Sequence, residues 1–229
     1  MNSIFMTATG TDIGKTHVSC AYLAYLRKKG LKPTPVKPLM TGFSKDALDQ
    51  SDAGRLLIAS GRPATEAEIN MICALKLEAE LAPNVAARQA GVKIDYDDLL
   101  AFVNSRMLLS EGPVLVEGAG GIMSPVNDEK LHVDLVNDLA MPCFLLASNY
   151  LGAVSHTLSA LEVLKARAAR TLAVIITQPT ADHGRPEGLA EELARWSDTP
   201  CLIAPYSADA TAMESLAEEM DALIGVVSV

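Results

Sequence analysis

The opening of this chain constrains its fold more than any other stretch. Residues 3–7 read as a short apolar strand, and residues 16–29 as a helix stopped by Gly30. Between them runs a loop of mostly small residues, Thr9-Gly10-Thr11-Asp12-Ile13-Gly14-Lys15-Thr16. A buried strand that feeds a helix through glycines is half of a parallel crossover unit, which needs further parallel strands beside it and helices over its faces. The remaining sequence supplies them. Continuous apolar runs predict strands over 33–37, 114–117, 143–147, 172–177 and 201–204, as expected for strands buried on both faces. Helical patterns fall over 52–61, 83–90, 96–109, 131–139, 153–170, 187–196 and 210–224. No linker, repeat or low-complexity tract interrupts the alternation. Residues 1–229 are therefore read as one α/β domain, a mostly parallel sheet of the P-loop NTPase type with helices on both faces.

In such sheets ligands sit beyond the carboxyl ends of the strands, so the residues just after each strand carry the chemistry. The first loop suits anion capture, because backbone N–H groups and a helix N-terminus point at phosphate oxygens. Lys15 would reach the β- and γ-phosphates, and the Thr16 hydroxyl would ligate Mg²⁺. A strict phosphate-loop pattern has Gly where this chain has Thr9. Glu117 ends a buried strand and runs into Gly118-Ala119-Gly120-Gly121. An unpaired buried carboxylate is costly, so a metal ion or a lysine must meet it. Lys37 ends the second strand at the same sheet edge as Lys15, and two ammonium groups there suit phosphoryl transfer to an acceptor. Asp52 follows Ser51 at a helix start and reads equally as an N-cap or a metal ligand. His17 is expected to pack, His132 and His183 show no metal spacing, and Trp196 reads as a core or interface aromatic.

Composition narrows the classes. The net charge of −9 argues against a nucleic-acid partner. No apolar run approaches the roughly 20 residues of a membrane span. The first residues lack the basic and apolar regions of a secretion signal. The four cysteines form no C-x-x-C pair, so reduced thiols and a cytoplasmic location are expected.

Taken together, the segments from Gly10 to Thr16, Val36-Lys37-Pro38 with Thr41-Gly42, Ser51-Asp52, Val116 to Gly121, and Leu151-Gly152 with His156 resemble the dethiobiotin synthetases in order, spacing and total length. The resemblance implies a homodimeric ligase dependent on Mg²⁺ and ATP. That family joins CO2 to 7,8-diaminononanoate (7,8-diaminopelargonic acid) and closes a cyclic urea, by way of a carbamate and a carbamic-phosphoric anhydride. It also implies roles. Thr11, Asp12, Ile13, Gly14, Lys15, Thr16 and His17 would hold the phosphates, with Gly118, Ala119 and Gly120 close by. Thr16, Asp52 and Glu117 would hold Mg²⁺. Lys37 and Lys15 would be catalytic. Thr41 and Gly118 would touch the diamino acid, and Leu151, Gly152 and Ser155 would receive its carboxylate across the dimer interface. The base would lie near Gln178, Pro179, Pro205, Tyr206 and Ser207. The chain departs from the common pattern at Ala8, Asp12, Thr41, Ser155 and Gln178, where Gly, Glu, Ser, Asn and Asn are frequent.

Two other classes make different demands on the sequence. A switch ATPase of the MinD/ParA type would carry an extra lysine early in the phosphate loop, and Ala8-Thr9-Gly10-Thr11 has none. A synthetase with amidotransferase chemistry would need a glutaminase domain, for which 229 residues leave little room.

Overall fold

The computed structural model describes residues 3–180, 183–205 and 210–225. The first unit is β1 (Ser3–Ala8), the phosphate loop and α1 (Lys15–Lys28). Next come β2 (Thr34–Val36), β3 (Leu39–Met40), α2 (Asp52–Ala59), α3 (Glu66–Ile72) and β4 (Leu75–Lys76). Two helices, α4 (Pro83–Gln89) and α5 (Tyr96–Leu109), lead to β5 (Val114–Glu117). The rest alternates: α6 (His132–Asp138), β6 (Cys143–Ser148), α7 (Ala153–Ala166), β7 (Thr171–Thr177), α8 (Pro186–Leu193), β8 (Cys201–Ile203) and α9 (Ala210–Gly225).

Six strands form one sheet in the order β2-β5-β1-β6-β7-β8, and every pairing is parallel. All carboxyl ends therefore share one edge, with β1 and its loop near the middle. Alternate residues of each strand feed opposite cores, because successive side chains point to opposite faces. Ile4, Met6 and Ala8 pack with Val18, Leu23, Leu56 and Met220 under α1, α2 and α9. Phe5 packs with Val103, Val133, Leu164 and Leu189 under α5, α6, α7 and α8. A third, small core of Met40, Phe43, Ala53, Leu57, Ile69 and Ile72 anchors α2 and α3 beside the site. No helix among the described residues is long and apolar enough to cross a membrane.

The strands and most helices follow the sequence expectation, and the differences have physical causes. Helix α7 stops at Ala166 rather than running to residue 170. There Ala168 turns into the left-handed region at φ +53°, and Ala169 N–H bonds the Leu164 carbonyl, closing the helix with an alanine where glycine is usual. Ala140 does the same after α6, at φ +50°. Helix α8 ends at Leu193, which leaves Trp196 outside it and 70% exposed. Trp196 therefore belongs to no core, and its Nε1 donates to Glu192 at 3.3 Å. The β3–β4 ladder and α3 carry no readable sequence period. The ladder pairs only Leu39 with Leu75 and Met40 with Lys76.

Candidate active site

Strand register sets the centre of the site. Strand β2 pairs with β5 so that Val36 lies opposite Val116. The next residues, Lys37 and Glu117, are separated by 80 positions in sequence yet meet at one corner of the sheet edge. Met6 of β1 pairs with Glu117 on the other side, which brings in the phosphate loop. That loop needs two left-handed residues, Asp12 at φ +57° and Gly14 at φ +88°. A Cβ on Gly14 would lie 3.4 Å from the Thr177 methyl. Thr177 in turn donates to the Ile13 carbonyl at 2.6 Å and ties the loop to β7. Lys15 Nζ donates to the Gly10 carbonyl at 3.1 Å, folded along the loop. Burial, reinforced by the nearby Lys37 charge, brings the Lys15 ammonium down to about 8.

Below the loop, four side chains interlock. Thr16 Oγ1 lies 2.9 Å from Asp52 Oδ1 and 2.9 Å from Glu117 Oε1. Lys37 Nζ lies 2.8 Å from Asp52 Oδ2 and 2.7 Å from Glu117 Oε1. It also donates to the Gly118 carbonyl at 3.1 Å. Lys37 is 1% exposed and Glu117 is fully buried. Burial pulls the Lys37 ammonium down, but the Glu117 and Asp52 carboxylates outweigh it and hold the ammonium above its ordinary range. Burial likewise works against the Asp52 carboxylate, and Lys37 more than compensates, keeping Asp52 below the usual carboxylate range. Glu117 thus meets the lysine that a strand-end acid requires.

Local helix chemistry frees Asp52 for this work. The Ser51 hydroxyl caps α2 by accepting from Gly54 N–H at 3.1 Å, so the N-cap is Ser51 and Asp52 turns inward. Gly54 is obligatory because a Cβ there would sit 1.9 Å from the Leu48 carbonyl oxygen.

The same cluster fits a small divalent cation. A hydroxyl has one proton, so Thr16 cannot donate to both carboxylates that crowd it. Glu117 Oε2 is buried without a hydrogen-bond partner. The two 2.9 Å separations from the Thr16 hydroxyl also match the edge of an Mg²⁺ octahedron, about 3 Å for bonds of about 2.1 Å. No group of three His, Cys, Asp or Glu that could hold a metal exists among the described residues. Phosphate oxygens and water would complete the shell, as Mg²⁺ prefers.

The glycine segment after β5 owes its shape to a residue that sequence reasoning passed over. Gly118 N–H bonds the Met6 carbonyl at 3.1 Å, and Ile122 N–H bonds the Ala8 carbonyl at 2.8 Å. Between them, Ala119 N–H donates to His132 Nε2 at 3.0 Å. His132 Nδ1 faces the Ser124 carbonyl at 3.0 Å, and a carbonyl can only accept, so the proton sits on Nδ1 and the ring is neutral. Burial holds His132 down to about 4, against the Ser124 bond, which raises it. No motif spacing marks this histidine, and only the tertiary structure brings it to the segment.

A cavity of about 920 Å³ opens over the cluster, and Thr11, Asp12, Gly14, Lys15, Thr16 and Lys37 line it. Thr41, Asp52, Ala119, Gly120 and Pro179 line it too, as does His17, which is exposed there rather than packed. Ile13, Glu117 and Gly118 are buried beneath. Leu151, Gly152 and Ser155 lie at the start of α7 and do not line this cavity. Gln178 follows β7 directly, with its Nε2 donating to the His183 carbonyl at 2.8 Å. Pro205 follows β8, whereas Tyr206 and Ser207 lie outside the described residues.

A parallel sheet whose central strand presents a phosphate loop, with acidic groups at the ends of neighbouring elements, defines the P-loop NTPase class. Comparison with known proteins narrows the class. The family model described as an AAA domain matches residues 2–218. The ATP-dependent dethiobiotin synthetase BioD of Phenylobacterium zucineum is 39% identical over 227 residues, covering 97% of this chain and 96% of that protein. The BioD of Caulobacter vibrioides is 43% identical over 179 residues, covering 78% of this chain and 80% of that one. The chain belongs to the ATP-dependent dethiobiotin synthetase family. Solved structures share the fold at low identity. The MinC:MinD cell division complex of Aquifex aeolicus matches with TM-score 0.60 at 13% identity, over 96% of both chains. MinD of Pyrococcus horikoshii, complexed with Mg-ADP, matches with TM-score 0.57 at 16% identity, over 98% of this chain and 97% of that one.

Proposed function

We propose that this chain, acting as one unit over residues 1–229, converts 7,8-diaminononanoate, CO2 and ATP to dethiobiotin, ADP and phosphate. One amine takes up CO2 and loses a proton to give a carbamate. A carbamate oxygen attacks the γ-phosphorus of ATP, ADP leaves, and a carbamic-phosphoric anhydride results. The second amine attacks the anhydride carbonyl, closing the urea as phosphate departs with the remaining proton loss.

The observation that carries this reading is the buried Lys37 ammonium, fixed between Asp52 and Glu117 at the wall of the phosphate-loop cavity. A lysine placed there serves an anionic acceptor on the phosphoryl path, because catalysis of this transfer is positioning plus charge stabilisation. Lys15 and the loop residues Thr11, Asp12, Ile13, Gly14 and His17 would bind the nucleotide phosphates, with Ala119 and Gly120 facing them. Thr16, Asp52 and Glu117 would hold Mg²⁺, which supplies charge neutralisation at the transferring phosphoryl group. Thr41 and Gly118 would contact the diamino acid. Gln178, Pro179, Pro205, Tyr206 and Ser207 would surround the base.

Leu151 is fully exposed, and Gly152 caps α7 with no side-chain bond; the Tyr150 carbonyl takes Ala153 N–H at 2.9 Å, so an external acceptor would meet the N–H groups of Val154 and Ser155. This supports a homodimer in which Leu151, Gly152 and Ser155 receive the carboxylate of the diamino acid bound to the partner subunit. We read the enzyme as cytoplasmic, with neither nucleic acid nor membrane among its partners. The MinD likeness is one of fold, and no residue of the site favours the switch-ATPase reading. The test is ADP release measured with each reactant left out in turn. Release must require the diamine and bicarbonate together; release that ignores either one refutes the proposal.

A further inference from the structure

The salt bridges that place Lys37 at the phosphate-loop cavity also bear on the cation site of Thr16, Asp52 and Glu117. The ammonium is bonded to both carboxylates assigned to the metal, at 2.8 Å and 2.7 Å, and Glu117 Oε1 is shared between Lys37 and Thr16. The lysine and the cation site share Glu117 Oε1, whereas on Asp52 they take different oxygens, Oδ2 for Lys37 and Oδ1 beside Thr16. We propose that Lys37 is the resting occupant of the cation site, and that the metal arriving with nucleotide displaces its ammonium from Asp52 and Glu117 into the cavity, where it meets the acceptor.

Charge balance supports the exchange. The buried Glu117 carboxylate requires a cationic partner, the half-buried Asp52 carboxylate adds a second negative charge, and Lys37 supplies one positive charge in direct contact with both. A divalent cation on Thr16, Asp52 and Glu117 cancels both negative charges by itself. The ammonium then loses its attraction and faces a like charge at close range. Its backbone is fixed, since Lys37 N–H bonds the Ile72 carbonyl at 2.9 Å and Pro38 follows. Only the four-carbon side chain is left to move, and Lys37 already forms part of the cavity wall. The phosphates and the carbamate in that cavity are the nearest new anions. The exchange makes Lys37 available to the acceptor only after metal and nucleotide are in place. It also means that metal without nucleotide must compete against a tethered ammonium.

This inference rests on the metal assignment above, and the two fail separately. The direct test is ¹⁵N NMR of the lysine ammonium groups in the wild-type chain, with the Lys37 signal identified by its loss in Lys37→Arg. The expected result is a shift or loss of that signal on adding Mg²⁺ with the β,γ-imido analogue of ATP, and no such change with the analogue in EDTA. A companion measurement follows Mn²⁺ binding without nucleotide by electron paramagnetic resonance. Lys37→Met should bind Mn²⁺ at least about tenfold more tightly than the wild type. A Lys37 signal unmoved while metal is bound overturns the exchange, as does equal movement in EDTA. A wild-type chain that takes up no metal even with nucleotide overturns the metal assignment itself.

Discussion

His132 offers a prediction whose size follows from the structure. Its ring is 1% exposed, accepts from Ala119 N–H and donates to the Ser124 carbonyl. Burial lowers it from 6.5 to about 4 in the folded chain. Between those values the unfolded chain binds a proton that the folded chain refuses, so stability rises with pH across the window and falls on acidification. At about 1.4 kcal/mol per pH decade, His132 accounts for a loss of about 3 kcal/mol between pH 6.5 and pH 4. Protonation there would also set an Nε2–H against Ala119 N–H, two donors face to face. His132→Gln removes the titration while keeping an acceptor in reach of the segment. At pH 7 the variant should be less stable by about 1 kcal/mol, the net value of one lost hydrogen bond. Near pH 4 it should equal or exceed the wild type. Urea unfolding at pH 7, 5.5 and 4 gives both curves, and the carboxylates common to the two proteins cancel in the difference. Parallel curves across that range would refute the neutral, doubly bonded histidine.

Other variants test the site more bluntly. Lys37→Ala should lower turnover by at least about 10³-fold while nucleotide affinity, read by calorimetry, changes only a few-fold; equal loss of both would assign Lys37 to nucleotide binding. Glu117→Gln should raise the Mg²⁺ needed for half-maximal activity by about tenfold or more, and an unchanged Mg²⁺ titration would make Glu117 purely structural. Gly14→Val places a β-branched residue at φ +88° against Thr177 and should abolish nucleotide binding, so retained binding would refute the loop geometry. Gly54→Ala forces a methyl onto the Leu48 carbonyl and should cost about 1–3 kcal/mol in urea unfolding, with weaker Mg²⁺ dependence because α2 carries Asp52.

The sheet was readable because its signals are local. Each buried strand is a continuous apolar run, and each strand-end residue that matters, Lys37 and Glu117 among them, sits directly after or at the end of such a run. Their meeting was not readable, since it depends on β2 pairing with β5 across 80 residues. Asp52 reads equally as cap or ligand in the sequence, and in the structure the Ser51 hydroxyl takes the cap while Asp52 faces Thr16 and Lys37. The end of α7 is not legible because Ala168 turns left-handed without the glycine that normally signals it, whereas α6 ends where its pattern places it, with Leu139 as the C-cap. His17 reads as packed and Trp196 as a core or interface aromatic on residue type alone; both are exposed, which removes the packing role of His17 and the core role of Trp196. His132 stayed invisible for the opposite reason: its partners are backbone groups, which no motif records.

The central claim is that carbon from CO2 becomes the urea carbon of dethiobiotin at the expense of one ATP. The most direct measurement supplies ¹³C-bicarbonate, 7,8-diaminononanoate and Mg-ATP and follows the products by mass spectrometry with parallel phosphate determination. The account predicts dethiobiotin carrying a single ¹³C, with one ADP and one phosphate formed per molecule. Phosphate release at the same rate without the diamine, and without labelled dethiobiotin, would contradict it and return the chain to the switch ATPases whose fold it shares.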